Sequence, residues 1–517
     1  MGKLNMVGRA EPGLYRLLVA VHLLPIWATR WFVTLDGPAH LYNARIVRDL
    51  LLGDPFFERF FHLSSYPEPY WLGHAAMALL LVFLPAWLVE KLLWSAAVIG
   101  LAWAFRQLVR TLAPARPWAA FLVMPFLLHY ALRLGFLNFS LSLPLLFLAL
   151  TLAWRGIERG HMHIWRLASV LLLLYFAHLS TFLLSAGLLP ALWAWCWLTT
   201  RAEERPPLRR MAAGIAIALA VPMALVAGYA ATGHTSSATV ARLPIGDLWR
   251  WIIEGRSWNA LGSAGELWAC TLTSLPLLIA GIAAMGFRSK LGGTWKRTDF
   301  WPLITLATFA AYFLVPDVFA GGSSVSPRLL LFSMFFLSIT IAVSALPARA
   351  IGLAVALGVI ADLQHTRIQY ASSVSLGREC AELLSVQAQL TDRTVLLPLN
   401  YSGNWMHSNL SNYLGTGDAR VVVLDHFTAL APFNPAQWNR RMLPHGPIGD
   451  FATSNQPCIR LGGYRDSTGV PIHAVLTWKL NAAAPDSCVM DTRAQLQAAY
   501  GLRVPSPHGD ALLFLQP

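Results

Sequence analysis

The chain has 517 residues, of which 56% are hydrophobic and only 13% are charged. This balance excludes a protein that is water-soluble along its whole length, and it is typical of an integral membrane protein. The formal net charge is +13, but no basic array is interleaved with aromatic residues. The charge therefore gives no indication of nucleic-acid binding, and nucleic acid is not among the expected partners.

Apolar runs long enough to cross the roughly 30 Å of a bilayer's hydrocarbon recur from Gly13 to about Arg367. We predict about eleven transmembrane helices, near residues 13–33, 87–108, 117–134, 138–154, 166–178, 181–199, 211–231, 266–287, 301–316, 329–346 and 350–367. Beyond them the chain has the composition of one small globular domain. The predicted fold class is an α-helical multi-pass membrane protein (residues 1–369) with a C-terminal extracytoplasmic domain of mixed α/β structure (residues 370–517).

The distribution of Lys and Arg predicts the orientation in the membrane, because these residues gather in short cytoplasmic loops. With the N-terminus inside, the inner segments hold a large excess of Lys and Arg over Asp and Glu, whereas the outer segments hold equal numbers. This arrangement requires that the apolar run Trp71 to Leu84, which is short for a span, does not cross. The N-terminus is then cytoplasmic, and residues 370–517 lie on the outer face.

The first outer loop, residues 34–86, is then large, and we expect it to contain two helices along the membrane surface. Asp36 opens the first of them, because Pro38 suits the first turn of a helix. Asp36, His40 and Asn43 follow i, i+4, i+7 spacing, which places them on one helix face. They are candidate site residues, with Asp36 as the catalytic one. The alternative is that Asp36 is only a helix cap.

Further polar residues stand at the predicted outer helix ends, where they are costly near lipid unless they face a cavity. These candidate substrate-binding residues are Arg133, Asn138, His178 and Arg328. An arginine preceded by Gly and Ser, as Arg328 is, can bind a phosphate through its planar guanidinium. The alternatives are an arginine that anchors the chain at the interface and, for His178, a hydrogen-bonded core histidine.

A divalent metal is an open alternative for the loop. His40, His74 and His178 are histidines that could join Asp36 as ligands, and imidazole and carboxylate are common ligands of divalent metals. Their spacing in the sequence is not that of a known metal motif, so we predict no metal site.

The C-terminal domain is predicted from its β-rich apolar runs and one helix. The strands are expected at 393–399, 420–424, 471–480 and 511–515, and the helix at 376–390. Of the five cysteines, Cys458 and Cys488 form a plausible disulfide in an oxidising compartment, although Cys380 lies in the same domain and leaves the pairing open.

A polar and aromatic loop follows the first of these strands. Its candidates for contact with a sugar are Trp405, His407, Asn409 and Tyr413, with packing of the domain as the alternative. The pair Asp425-His426 follows the second strand and supports no catalytic role on sequence alone.

The chain resembles the GT-C superfamily of polyprenyl-phosphate-dependent glycosyltransferases. The likeness consists of about eleven spans, a long first outer loop with an acid near its start in Asp36-Gly-Pro-Ala-His, and an outer C-terminal domain. Gly37 stands where many members carry a second acid, and the segment Arg133 to Ser140 contains no acid where related enzymes carry one. Gly135 to Ser140 also matches a Gly-Phe-x-Asn-Phe-Ser pattern of bacterial multi-pass members.

The resemblance implies a bacterial inner-membrane enzyme whose donor is a sugar on a polyprenyl phosphate and whose acceptor is a lipid, a glycan or a protein. It implies that Asp36 is the general base of an inverting transfer at the outer face. Arg328, with Arg133 or an arginine of residues 242–256, would then stabilise the departing phosphate.

Two other classes of protein remain open. A lipid or solute transporter or flippase would explain the many spans, but no internal repeat is evident. A non-enzymatic envelope assembly protein would use the outer domain to bind a ligand, and it would need no acid at position 36.

Overall fold

The structure is a computed structural model that describes residues 2–201, 205, 208–232, 240–291, 294–318, 323–444, 446–448 and 458–516. Its residues form two compact units, 1–25 with 94–371 and 26–93 with 372–517. The first unit is helical. The second combines the segment after the first helix with the C-terminal part of the chain, so the first outer loop of the sequence analysis groups with residues 372–517.

The α-helices follow one another along most of the chain. In chain order they are α1 Gly2–Trp27, α2 Gly37–Leu51, α3 Pro55–Phe60, α4 Trp71–Leu80, α5 Ala86–Leu112, α6 Tyr130–Arg133, α7 Leu137–Arg159, α8 Ile164–Ala177, α9 Leu179–Thr199, α10 Leu208–Ala231, α11 Ile245–Ile253, α12 Ala264–Leu291, α13 Phe300–Leu314, α14 Val325–Val343, α15 Ala348–Leu384, α16 Leu461–Thr468 and α17 Ser487–Ala499.

Among the described residues, seven helices are long and apolar enough to cross a membrane: α5, α7, α9, α10, α12, α14 and the N-terminal part of the segment that begins with α15. The protein is therefore a multi-pass membrane protein. The segment near 117–134 is not the single α-helix that we expected. It forms a 3₁₀ helix, Pro117–Phe126, and then the one-turn helix α6. Pro125 lies inside this segment and has no N–H to donate to a helix.

Residues 34–86 contain the two predicted helices, α2 and α4. Helix α4 has ten residues, about 15 Å of length at 1.5 Å per residue, which is about half the thickness of a bilayer's hydrocarbon. Its length agrees with the prediction that this run does not cross. Tyr70 precedes α4 in the left-handed backbone conformation, with φ of 77°.

The second unit is built on a five-stranded mixed sheet. Its strands are β2 Thr394–Asn400, β3 Val421–Val423, β5 Ala474–Trp478, β6 Leu502–Pro505 and β7 Ala511–Leu515, in the order β3-β2-β5-β7-β6. β2 pairs in parallel with both neighbours, and the other pairs are antiparallel. The four predicted strands are confirmed. β6 was missed because it is a short, largely exposed edge strand without an apolar face.

A second, two-stranded sheet joins the two sequence segments of this unit. β1 Phe61–Leu63 pairs antiparallel with β4 Ala436–Trp438. Helix α2 is held in the same way, because the Tyr42 hydroxyl donates to Val421 O at 2.8 Å and accepts from Val423 N at 3.1 Å. Gly415 lies flat against the Tyr42 ring, where a Cβ would approach within 2.3 Å of a ring carbon. Only glycine permits this contact.

The disulfide between Cys458 and Cys488 is present, with the two Cα atoms 5.1 Å apart. Cys380 is buried and unpaired. The pairing that the sequence left open is thereby resolved.

Candidate active site

Asp36 occupies the N-cap position of α2 but does not cap it. Its carboxylate makes no capping hydrogen bond, and the Gly37 amide donates instead to Thr34 Oγ1 at 3.1 Å. Asp36 Oδ1 accepts from Asn409 Nδ2 at 3.0 Å, and the same amide group donates to Leu35 O at 3.0 Å. Asp36 Oδ2 accepts no hydrogen bond from the residues that the structure describes. One oxygen is therefore held in place by the protein, and the other is not.

The environment of Asp36 changes its protonation. The side chain is half-buried, and burial raises the pKa of the Asp36 carboxyl to about 7. A general base works best when its pKa lies near the operating pH, because it is then ionised and still basic. Asp36 combines that property with a free oxygen.

His40 lies one turn further along α2 and pairs with His74 of α4. His40 Nδ1 lies 3.1 Å from His74 Nε2, and His74 Nδ1 lies 3.0 Å from Tyr70 O. Because a carbonyl only accepts, His74 carries its proton on Nδ1, and His40 must then donate from its own Nδ1. Burial lowers the pKa of His40 to about 3 and that of His74 to about 4. His40, which is partly exposed, therefore stands beside Asp36 on the helix as a neutral ring with Nε2 as an acceptor.

Asn43 is positioned differently from our expectation. It is fully buried. Its amide donates to Ala436 O at 3.0 Å and accepts from Ala436 N at 3.3 Å, and its nitrogen lies 3.3 Å from His426 Nε2. The i, i+7 spacing does put Asn43 on the same side of α2 as Asp36, but that part of the face is covered by β4. Asn43 binds the protein itself rather than a substrate.

Asp425 is a second acid that the sequence analysis set aside. Its Oδ2 accepts from Ser411 Oγ at 2.8 Å and its Oδ1 from Asn412 Nδ2 at 3.2 Å. Burial raises the pKa of the Asp425 carboxyl to about 7, while these donors act in the opposite direction. The signal in the sequence is the dense polar run from Asn409 to Tyr413.

That polar run connects several elements of the second unit. Asn409 holds Asp36, Asn412 Oδ1 lies 2.8 Å from His426 Nδ1, and the Tyr413 hydroxyl donates to Glu90 Oε2 at 2.7 Å. Asn409 and Tyr413, which the sequence offered as sugar contacts, are buried and make protein contacts. For both residues the structure therefore agrees with the alternative that the loop packs the domain.

His407 and Trp405, the other two loop candidates, differ in their exposure. His407 is buried, with Nε2 2.5 Å from Glu379 Oε2 and Nδ1 2.8 Å from Ser402 Oγ. Trp405 is 38% exposed. Of the four loop candidates, Trp405 is the one whose ring is open to a ligand.

The remaining candidates lie in the first unit, around Phe139. Arg328 is in the first turn of α14, with its guanidinium 4.6 Å from the ring centre of Phe136 and 5.4 Å from that of Phe139. The Phe139 ring meets His178 edge-on at 5.1 Å. Arg328 and His178 therefore both contact the Phe139 ring.

Asn138 and Arg133 belong to the same region. Asn138 is next to Phe139 at the start of α7, and Arg133 ends α6, which contacts α14. Both side chains are buried. His178 Nδ1 lies 2.9 Å from Ser180 Oγ, so the hydrogen-bonded state that we weighed for this histidine is also present.

In the described part of the chain, no group of three or more His, Cys, Asp or Glu side chains is arranged to hold a metal ion. The His40 and His74 pair is bound to itself and to Tyr70 O, as described above.

Comparison with known proteins places the fold. No protein-family model and no curated protein sequence matches the chain. Among solved structures, it is similar to ArnT from Cupriavidus metallidurans bound to undecaprenyl phosphate, with a TM-score of 0.51 and 12% identity over 97% of this chain and 98% of that one. It is also similar to the arabinofuranosyltransferase AftD from Mycobacteria, with a TM-score of 0.52 and 14% identity over 97% of this chain and 41% of that one.

At these identities the likeness is one of fold. The chain spans less than half the length of AftD, whereas it matches ArnT from end to end. The chain therefore has the overall fold of these two solved structures, in agreement with the multi-pass helical fold with a C-terminal sheet domain that the sequence predicted.

Proposed function

We propose that the protein is a glycosyltransferase that takes its sugar from a polyprenyl-phosphate carrier and inverts the anomeric carbon, with Asp36 as the general base. The observation that carries the proposal is the Asp36 carboxylate, which makes no capping hydrogen bond, is held through one oxygen by Asn409 and is partly exposed. The likeness to ArnT, which was solved with undecaprenyl phosphate, supports the class of donor.

In the proposed reaction, Asp36 Oδ2 removes the proton of an acceptor hydroxyl as that oxygen attacks the anomeric carbon. The bond from that carbon to the carrier phosphate breaks at the same time, and its electron pair leaves with the phosphate. A base of this kind contributes about 10² to 10⁴ in rate. Asn409 fixes the direction of the carboxylate, and neutral His40, one turn along α2, can accept a hydrogen bond from the acceptor.

Arg328 is proposed to bind the carrier phosphate. A guanidinium offers paired donors to phosphate oxygens, and the charge that develops on a leaving group is stabilised by donors already in place. Phe136 and Phe139 hold the guanidinium through their ring faces. His178, Asn138 and Arg133 are proposed to complete this phosphate site.

The proposed location is the inner membrane of a bacterium, with the N-terminus in the cytoplasm and the reaction at the outer face. A lipid, a glycan or a protein are the acceptor classes that remain. The excess of Lys and Arg in the predicted inner segments supports this orientation.

The test is glycosyl transfer by the purified protein from a polyprenyl-phosphate-linked sugar, compared between wild type and Asp36→Asn. We expect turnover to fall by about 10² to 10⁴, because the amide keeps the shape but cannot take the proton. Binding of the donor and the melting temperature should stay near their wild-type values. Turnover retained in the variant would contradict the role of Asp36.

A further inference from the structure

A cavity of about 790 Å³ lies in the first unit between α1 and α5, and none of the residues assigned a role above lines it. Its walls are residues 11–23 of α1 and residues 99–110 of α5, closed at one end by Pro117. Along α1 these walls extend from residue 11 to residue 23, a distance of about 18 Å at the rise of an α-helix. The cavity is therefore a groove with the length of a lipid headgroup and part of its chains.

One end of the groove is positively charged. Arg16, Arg106 and Arg110 line it together with a single acid, Glu11, which leaves a net charge of about +2. Arg106 is fixed by two hydrogen bonds to Glu11, at 2.5 and 2.7 Å, and by the face of the Tyr15 ring at 4.4 Å. Arg16 and Arg110 are exposed and form no ion pair with the described residues. Arg16 and Arg110 are therefore available to bind an anion.

The other end of the groove is apolar. Its lining there is Val19, Ala20 and Leu23 from α1 with Ile99 and Trp103 from α5. Trp103 is 51% exposed, and α5 is one of the helices able to cross a membrane. In a membrane this end is in contact with hydrocarbon. A charged end and an apolar end within about 18 Å have the polarity of a phospholipid.

The sequence indicates which leaflet the charged end faces. The arginines lie in the N-terminal half of α1 and the C-terminal half of α5, at the ends remote from the segment 28–85 that joins the two helices. Lys and Arg at such ends predict the cytoplasmic side. The polyprenyl-linked sugar is expected at the outer face, so an ordinary anionic lipid of the inner leaflet fits this groove better than the donor.

We propose that the groove between α1 and α5 binds an anionic diacyl phospholipid, with its phosphate between Arg16 and Arg110 and one acyl chain along Ala20 and Trp103. Basic pockets between membrane helices on the cytoplasmic side are suited to such headgroups. This site is independent of the proposed transfer reaction.

The test is the retention of phosphatidylglycerol by the purified full-length protein in native mass spectrometry, titrated against phosphatidylcholine. The double variant Arg16→Gln, Arg110→Gln should weaken retention of phosphatidylglycerol by about 30-fold, the effect of two arginines at a membrane surface. The matched control is Arg159→Gln, Arg166→Gln, which removes the same charge from two exposed arginines outside the groove. The control should leave retention unchanged.

A second variant tests the apolar end without altering charge. Ala20→Trp fills the groove and should weaken retention of phosphatidylglycerol, while its melting temperature stays near that of the wild type because Ala20 is exposed. Equal losses in the groove variant and the charge control would overturn the proposal, as would undecaprenyl phosphate displacing phosphatidylglycerol at a lower concentration than phosphatidylglycerol itself requires.

Discussion

Asp36 at the start of α2 and Asp425 after β3 are two acids with the same raised pKa, about 7, and the same cause, burial. They differ in their hydrogen bonds. Asp425 has both oxygens engaged, one by Ser411 and one by Asn412. Asp36 has one oxygen engaged, by Asn409. The comparison teaches that a shifted pKa does not by itself identify a base, because the base also needs an oxygen that is free to receive the proton.

The largest contrast is expected when each acid is replaced by its amide. Asp36→Asn should lose about 10² to 10⁴ of the transfer rate, whereas Asp425→Asn should keep the rate within about tenfold of wild type. Asp425 serves as an acceptor for two side chains, and an amide preserves part of that function. Transfer rates of both variants, measured with the same donor and acceptor, give the comparison. Equal losses would mean that Asp425 takes part in the chemistry.

A smaller effect is expected from the side chain that holds Asp36. Asn409→Ala removes a donor to the ionised carboxylate, so the pKa of Asp36 should rise and the ascending limb of kcat/KM should move to higher pH. A hydrogen bond to a charged group contributes about 1.5 to 3 kcal/mol, which corresponds to a shift of roughly one to two pH units.

Ser411→Ala is the matched control for that shift, since it removes a donor from Asp425 and not from Asp36. The pH profile of this variant should coincide with that of the wild type. If the ascending limb of kcat/KM moved equally in both variants, its pKa would belong to the hydrogen-bonded group that includes Asp425 and not to Asp36 alone.

The smallest effect concerns stability. Both acids have pKa values raised by folding, so the folded state binds more protons than the unfolded state between pH 4 and 7. Their contribution is present below the unfolded pKa and is lost as the pH rises through about 7. The unfolding midpoint should therefore decline from pH 5 to pH 8, and either amide variant should reduce this decline. A midpoint that declines as steeply in both variants would place the cause elsewhere.

Much of this architecture could be predicted from the sequence because it depends on local patterns. The β-rich runs predicted β2, β3, β5 and β7, and the Pro38 signal predicted the start of α2. The i, i+4, i+7 pattern correctly placed Asp36, His40 and Asn43 along one side of that helix. It could not show that β4 covers Asn43, because helical spacing shows which residues share one face of a helix but not which element packs against that face.

The rest depends on contacts between distant parts of the chain. Asn409 holds Asp36 from 373 positions away, and Tyr42 is bound by the backbone of β3, 379 positions further on. Neither partner is marked by a local motif. The sequence grouped residues 34–86, as a loop, with the domain 1–369, whereas the compact unit that contains these residues also contains residues 372–517.

The most direct test of the role of Asp36 is the pH dependence of kcat/KM for glycosyl transfer from a polyprenyl-phosphate-linked sugar, in wild type and in Asp36→Asn. With a base whose pKa is about 7, wild-type activity should rise as the pH increases through neutrality and level off above it. The variant should be slower by about 10² to 10⁴ and should lack this limb. A variant that turns over at the wild-type rate, with the same ascending limb, would contradict the assignment of Asp36 as the base.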